Sequence, residues 1–112
     1  MNVLKYKKIY YKQVNEIYNN SFPKEERYIS LDEMINKANT ELYCLIDGDL
    51  VLGFIYLIFY KDMIFILYLA VNSKIRSKGY GSYLLKWCLE RYKDKRIYLN
   101  IEEVKEGLED YE

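Results

Sequence analysis

The residues with the clearest chemical purpose in this sequence form one short run, Arg76-Ser77-Lys78-Gly79-Tyr80-Gly81-Ser82. Two cations and two glycines stand together there, directly ahead of an apolar helical pattern. The first four amides of a helix have no partner inside it, and the helix dipole adds about half a positive charge at that end. A diphosphate bound at Gly79 to Ser82 would gain from both. Glycine at 79 and 81 allows close backbone approach and positive φ angles, and Arg76 and Lys78 add charge from the rim. Glycines also open many helices simply as turn residues, so the run by itself leaves a purely structural role open.

The elements around the run decide how it is presented. Met63 to Val71 has strand composition and is followed by a polar loop over 72–78. Leu84, Leu85, Cys88, Leu89 and Tyr92 then recur at spacings of three and four, marking one face of a helix that Lys93-Asp94-Lys95 ends. Strand, loop, glycines and helix therefore follow in the order needed to aim backbone donors at a phosphate. A P-loop would need Gly-x-x-x-x-Gly-Lys followed by Ser or Thr, which is absent. A dinucleotide fingerprint would need a third small residue where Leu84 stands, and a parallel strand rather than hairpins before it.

Upstream, residues 3 to 9 read as a strand, and Val14, Ile17 and Tyr18 as the face of a helix that runs to the turn at Ser21-Phe22-Pro23. Ser30 followed by Glu33 predicts a capping box for a second short helix with Leu31, Met34, Ile35 and Ala38 on its apolar face. Polar Lys24-Glu25-Glu26-Arg27 links the two. Glu41 to Ile46, the turn Asp47-Gly48-Asp49 and the run through Tyr60 form a hairpin, and Met63 to Val71 a third antiparallel strand. Leu50 to Val71 is long enough to span a bilayer as a helix. Lys61-Asp62 at its centre would cost about 2.5 to 3.5 kcal/mol per charge there, but almost nothing in a surface turn. Arg96 to Ile101 alternates as a further strand, and Glu102 to Glu112 is acidic and weakly patterned.

Composition excludes several functions. With 112 residues and 51% hydrophobic content the chain suits one globular domain, residues 1–112. Lys plus Arg and Asp plus Glu both number 17, so no overall field favours nucleic acid or an anionic membrane, and neither is an expected partner. No histidine is present, which removes the usual general base, the Ser-His and Cys-His pairs and the commonest zinc ligand. Cys44 and Cys88 fit no metal-ligand spacing and follow no signal peptide, so reduced thiols in a cytoplasm and no bound metal are expected. The 14 tyrosines fall within apolar patterns without a basic stripe, which suits core packing with the hydroxyls reaching water better than base stacking.

The run Tyr68-Leu69-Ala70-Val71-Asn72, continued by Lys74 through Leu85, closely resembles motif A of the GNAT superfamily of N-acetyltransferases. That motif is Gln/Arg-x-x-Gly-x-Gly/Ala after a Leu-Ala-Val strand end and before a helix with paired leucines, and every key position is filled. The match continues in order through the two N-terminal helices, the Asp47-Gly48-Asp49 hairpin and the strand after the last helix. The resemblance implies an α/β (α+β) fold, a mixed and mostly antiparallel sheet flanked by helices, splayed at the strand that ends in Val71. It also implies acetyl-coenzyme A as co-substrate and transfer of the acetyl group to a small-molecule or protein amine. Main-chain groups of Leu69 and Val71 would pair with the pantetheine arm, and the amides of Arg76, Ser77, Lys78, Gly79, Tyr80, Gly81 and Ser82 would hold the pyrophosphate. The amide of Leu69 or Ala70 would face the acetyl oxygen, a role that contributes about 2.7 to 4 kcal/mol to a transition state.

The catalytic proton carriers are not assigned by this resemblance. Many relatives carry Glu two residues before the Leu-Ala-Val, where this sequence has Leu67. A water chain, Glu25, Glu26 or Glu102 are the alternatives, and Tyr111 is the candidate for the tyrosine that protonates the leaving thiolate. Relatives continue with a further helix and two strands, so the chain reads as a C-terminally shortened member with an exposed strand edge, for which a homodimer is an expectation. A noncatalytic coenzyme A binding or assembly module is the alternative to an enzyme.

Overall fold

In the computed structural model, which describes residues 1–75, 78–99 and 102–103, six strands form one sheet in sequence order. They are β1 (Asn2–Lys5), β2 (Thr40–Asp47), β3 (Leu50–Tyr60), β4 (Met63–Val71), β5 (Arg96–Leu99) and the two-residue β6 (Glu102–Glu103). All neighbours are antiparallel except β4 and β5, which run parallel. Helices α1 (Tyr11–Ser21) and α2 (Leu31–Asn36) join β1 to β2, and α3 (Tyr80–Arg91) is the crossover between the parallel pair. A parallel pair needs such a crossover, whereas β2, β3 and β4 are joined by two-residue turns. The turns form where Gly48 and Lys61 take positive φ, at +63° and +55°. This is the mixed, mostly antiparallel sheet flanked by helices that the sequence implied, and the stretch from Leu50 to Val71 is two strands. No described helix is long and apolar enough to cross a membrane.

Each face of the sheet has its own core. Val14, Ile17 and Tyr18 of α1 and Leu31 and Met34 of α2 pack with Cys44, Phe54, Tyr56 and Tyr68 on one face. Leu84, Leu85 and Cys88 of α3 pack with Leu45, Ile55, Leu57, Ile64 and Ile97 on the other. Two register shifts set which residues go where. Tyr56 pairs with Tyr68 and Leu57 with Ile66, so Leu67 is an extra, unpaired residue in β4. Residues two apart on a strand share a face, yet Ile64 and Ile66 belong to the α3 core and Tyr68 and Ala70 to the α1–α2 core. The bulge at Leu67 reverses the alternation between them. Leu52 plays the same part in β3, between the pairs Leu45–Gly53 and Ile46–Val51.

Some boundaries differ from the sequence reading. The first strand ends at Lys5 rather than residue 9, because Lys8–Tyr10 turns into a short 3-10 helix that leads into α1. The box at α2 forms as the spacing predicts, with Glu33 N–H donating to Ser30 Oγ at 3.2 Å and Ser30 N–H to Glu33 Oε1 at 3.3 Å. The helix stops at Asn36, which leaves Ala38 outside it, and Ile35 is 37% exposed. β6 was not foreseen, since Glu102 and Glu103 carry no strand propensity. The tyrosine hydroxyls also depart from expectation. Those of Tyr18, Tyr56 and Tyr68 donate to the carbonyls of Ile29, Met34 and Glu26 rather than reaching water.

Candidate functional site: an open strand edge beside a helix start

The parallel pairing of β4 with β5 covers only the first half of β4, from Met63–Arg96 to Ile66–Leu99. Among the described residues, nothing pairs with that edge of β4 from Leu67 to Val71, the stretch where the resemblance implied a splayed sheet. Asn72 N–H donates to Leu52 O at 2.8 Å, so residue 72 faces β3. Main-chain groups alternate sides along a strand, which turns Ala70 toward β3 as well and leaves Leu69 and Val71 pointing to the open edge. The Ala70 carbonyl agrees, since it lies 2.6 Å from where a β-carbon on Gly53 of β3 would stand. Leu69 is half-buried, while Ala70 and Val71 are buried.

Asn72 also shapes the exit from β4. Its Oδ1 accepts from Lys74 N–H at 3.0 Å and its main-chain carbonyl from Ile75 N–H at 3.1 Å, closing the short 3-10 turn Ser73–Ile75. Asn does this readily because its side chain mimics a backbone turn. The chain then reaches Gly79, which caps α3 with φ +76° and ψ 18°, a left-handed conformation that disfavours a β-carbon. Tyr83 N–H donates to Gly79 O at 2.9 Å, the first bond of the helix. The amides of Tyr80 and Gly81 lie ahead of that bond and have no carbonyl available within the helix. Gly79 supplies no side chain to cap them, the first turn of α3 contains no acidic residue, and Gly81 is buried. Lys78 is exposed, Tyr80 and Ser82 half-buried, and Lys74 is a further exposed cation of this loop. Arg76, Ser77 and Tyr111 lie outside the described residues.

The proposed proton carriers are placed less closely. Leu67 is the bulge residue and packs partly against the α1–α2 core. Glu25 and Glu26 are exposed in the 3-10 turn Lys24–Glu26, although the main chain of Glu26 is held to β4 by Tyr68. Glu102 lies in β6 opposite Leu99, with its side chain outside the described residues. Among the described residues, no three His, Cys, Asp or Glu side chains converge as metal ligands would. Cys44 and Cys88 are free and buried, and burial pushes both thiols up to about 12. At that value neither is a thiolate nucleophile near neutral pH.

Sequence reading gave no role to three residues that build this corner, although Tyr68 and Asn72 stand within the motif run. Gly53, in the interior of a strand pattern, was legible as a point of close backbone approach. Asn72 at a strand end was legible as a turn former. Nothing local to Tyr68 sets it apart from the other tyrosines.

The acetyltransferase (GNAT) family matches residues 9–107 of the chain. No curated protein matches it. Among solved structures it is similar to a putative acetyltransferase of the GNAT family from Bacteroides thetaiotaomicron, at 26% identity and TM-score 0.73, over 98% of this chain and 64% of that one. It is also similar to the aminoglycoside 6'-N-acetyltransferase from Enterococcus faecium, at 22% identity and TM-score 0.70, over 88% of this chain and 60% of that one. A third is an aminoglycoside 6'-N-acetyltransferase complexed with coenzyme A, at 21% identity and TM-score 0.73, over 88% and 61%. The chain thus spans less than two thirds of the length of each of these structures. The second and third likenesses concern the fold alone.

Proposed function

The chain belongs to the GNAT acetyltransferase family, and from that premise we propose that residues 1–112 form one domain that transfers an acetyl group from acetyl-coenzyme A to a primary amine. The observation that carries this reading is the open edge of β4 at Leu69 and Val71, lying one short loop ahead of the glycine-capped start of α3. The pantetheine arm carries amides that pair with a strand edge, and the pyrophosphate suits the helix start and the loop over Arg76 to Ser82. Between its two candidates for the acetyl oxygen, strand alternation favours the amide of Leu69 over that of Ala70.

In this mechanism the neutral amine attacks the thioester carbon, a C–N bond forms, the C–S bond breaks to release coenzyme A thiolate, and the nitrogen gives up its extra proton to leave a neutral amide. An unperturbed lysine amine has a pKa near 10.4, so the ammonium must first lose a proton. A water chain or a carboxylate, Glu25, Glu26 or Glu102, as acceptor of that proton, and Tyr111 as donor to the thiolate, are the proposed carriers. The acceptor is a small-molecule or protein amine; two of the similar structures are enzymes that act on aminoglycosides, which makes such amines the first to try. Two buried free thiols suit the reducing conditions of a cytoplasm. Self-association through an outer strand of the sheet is part of the same proposal, and a monomeric mass by light scattering at high concentration would contradict it.

Leu67 favours a second reading, coenzyme A binding without turnover, because the bulge offers an alkyl side chain where a carboxylate base would stand. Calorimetry with coenzyme A, followed by thiol release from acetyl-coenzyme A with a panel of amines, separates the two. Binding with release supports the transferase, binding without release the binding module, and no binding sinks both.

A further inference from the structure

Tyr68 follows the bulge residue Leu67 and precedes Leu69 on β4, and its side chain enters the α1–α2 core, where it is 3% exposed. Its ring meets those of Tyr18 and Phe22 edge-on, each at 4.9 Å between centroids. Its hydroxyl makes two bonds to one stretch of main chain, donating to Glu26 O at 2.9 Å and accepting from Tyr28 N–H at 2.9 Å. One bond would satisfy a buried hydroxyl. Two, made to residues on either side of Arg27, also fix the orientation of the connection over residues 22–30.

That connection has other ties. Tyr18 Oη donates to Ile29 O at 2.6 Å, and Arg27 Nη1 donates to Asn19 O at 2.9 Å and Phe22 O at 2.8 Å. These hold it to α1 and to itself. Of the three side chains, Tyr68 alone belongs to β4, the strand whose next residue turns its main chain to the open edge. The stretch it holds presents Glu25, Glu26 and Tyr28 outward, with Tyr28 73% exposed, and it contains two of the carboxylates proposed above as proton carriers.

We propose that Tyr68 is a positioning residue that latches residues 22–30 to β4, so that the wall met by the acceptor amine stands in register with the thioester at Leu69. The inference rests on the proposed course of the coenzyme along Leu69 and Val71. It gives the hydroxyl a role in acceptor binding and none in coenzyme binding.

Tyr68→Phe keeps the ring and its contacts and removes only the hydroxyl. Tyr56→Phe is the control, since Tyr56 is equally buried and its hydroxyl donates to Met34 O at 3.3 Å, outside the latched stretch. In Tyr68→Phe, tryptic cleavage after Lys24 or Arg27 should accelerate and the KM for an accepted amine should rise, each roughly tenfold, as suits a lost hydrogen-bonded restraint. The change in kcat should be smaller, and coenzyme A affinity by calorimetry should stay within about twofold of wild type. Tyr56→Phe should leave all four readings at wild-type values. A Tyr68→Phe protein with the wild-type tryptic pattern, or one matched by Tyr56→Phe in every reading, overturns the latch. If the wild-type chain binds no coenzyme or acetylates no amine, the transferase reading falls, while the tryptic comparison still decides whether Tyr68 holds the segment.

Discussion

A β-carbon placed on Gly53 would stand 2.6 Å from the carbonyl oxygen of Ala70, a separation that real side chains do not adopt. The clashing atom is main chain, so relief requires β3 and β4 to move apart. We expect Gly53→Ala to cost about 1 to 3 kcal/mol, in the range of overpacked cores. Because the displaced strand is the one with the open edge, coenzyme A affinity should fall with stability. Thermal unfolding and calorimetry check both, and a Gly53→Ala protein as stable as wild type would contradict the close approach.

Gly79 and Gly81 should separate conformation from access. Gly79→Ala places a β-carbon at φ +76°, which costs roughly 1 to 2 kcal/mol, and should lower stability while only weakening coenzyme A binding. Gly81→Val should nearly abolish binding by filling the approach to the first turn of α3. Retained affinity in Gly81→Val, measured by calorimetry, would remove the proposed pyrophosphate site.

Removing the cap of α2 tests how much a six-residue helix depends on its start. Ser30→Ala loses the oxygen that accepts from Glu33 N–H, and should cost about 1 kcal/mol. For a domain of this size that lowers the midpoint of thermal unfolding by roughly 4 °C. Helical circular dichroism near the midpoint reports the change.

Alkaline pH should weaken the fold through its buried thiols and tyrosines. Burial raises the thiols of Cys44 and Cys88 from 9.0 to about 12, and desolvation also leads the upward shifts of Tyr18 and Tyr92 from 10.0. Each folded pKa lies above its unfolded value, so the folded state holds these protons more tightly. Their contribution is complete below pH about 9 and is lost as pH rises through the folded values. Stability measured by denaturant titration should therefore decline above pH about 9. Both thiols should resist a chromogenic disulfide reagent at neutral pH in the folded state, and prompt reaction of either would show that its burial is misassigned.

The elements legible in the sequence were those whose cause is local. Ser30 and Glu33 announce a helix start by their spacing, and Gly48 between two β-rich runs announces a hairpin. Leu84, Leu85 and Cys88 share a helix face wherever the helix docks. Gly79 at the head of that face marks a left-handed cap, so the loop that presents backbone donors could be identified with no knowledge of its neighbours.

Other features had no local signature. Leu67 is one apolar residue in an apolar run, and only pairing with β3 makes it the unpaired bulge that sends Ile66 and Tyr68 to opposite cores. The first strand was read four residues too long because Lys8, Ile9 and Tyr10 suit a strand as well as a 3-10 turn.

By itself, then, the amino-acid order determined the helices, the hairpins, the cationic glycine loop and the family resemblance, because capping, turn formation and periodicity act between residues a few positions apart. Tertiary structure alone decided that the described pairing of β5 with β4 runs from Met63 to Ile66, that the main chain of Leu69 rather than Ala70 turns away from β3, and that the hydroxyl of Tyr68 reaches back to Glu26 and Tyr28. The Tyr68 hydrogen bonds join residues some forty positions apart, and strand register likewise joins residues distant in sequence. Their outcome depends on how two faces of one sheet are packed together, which no short window of sequence encodes.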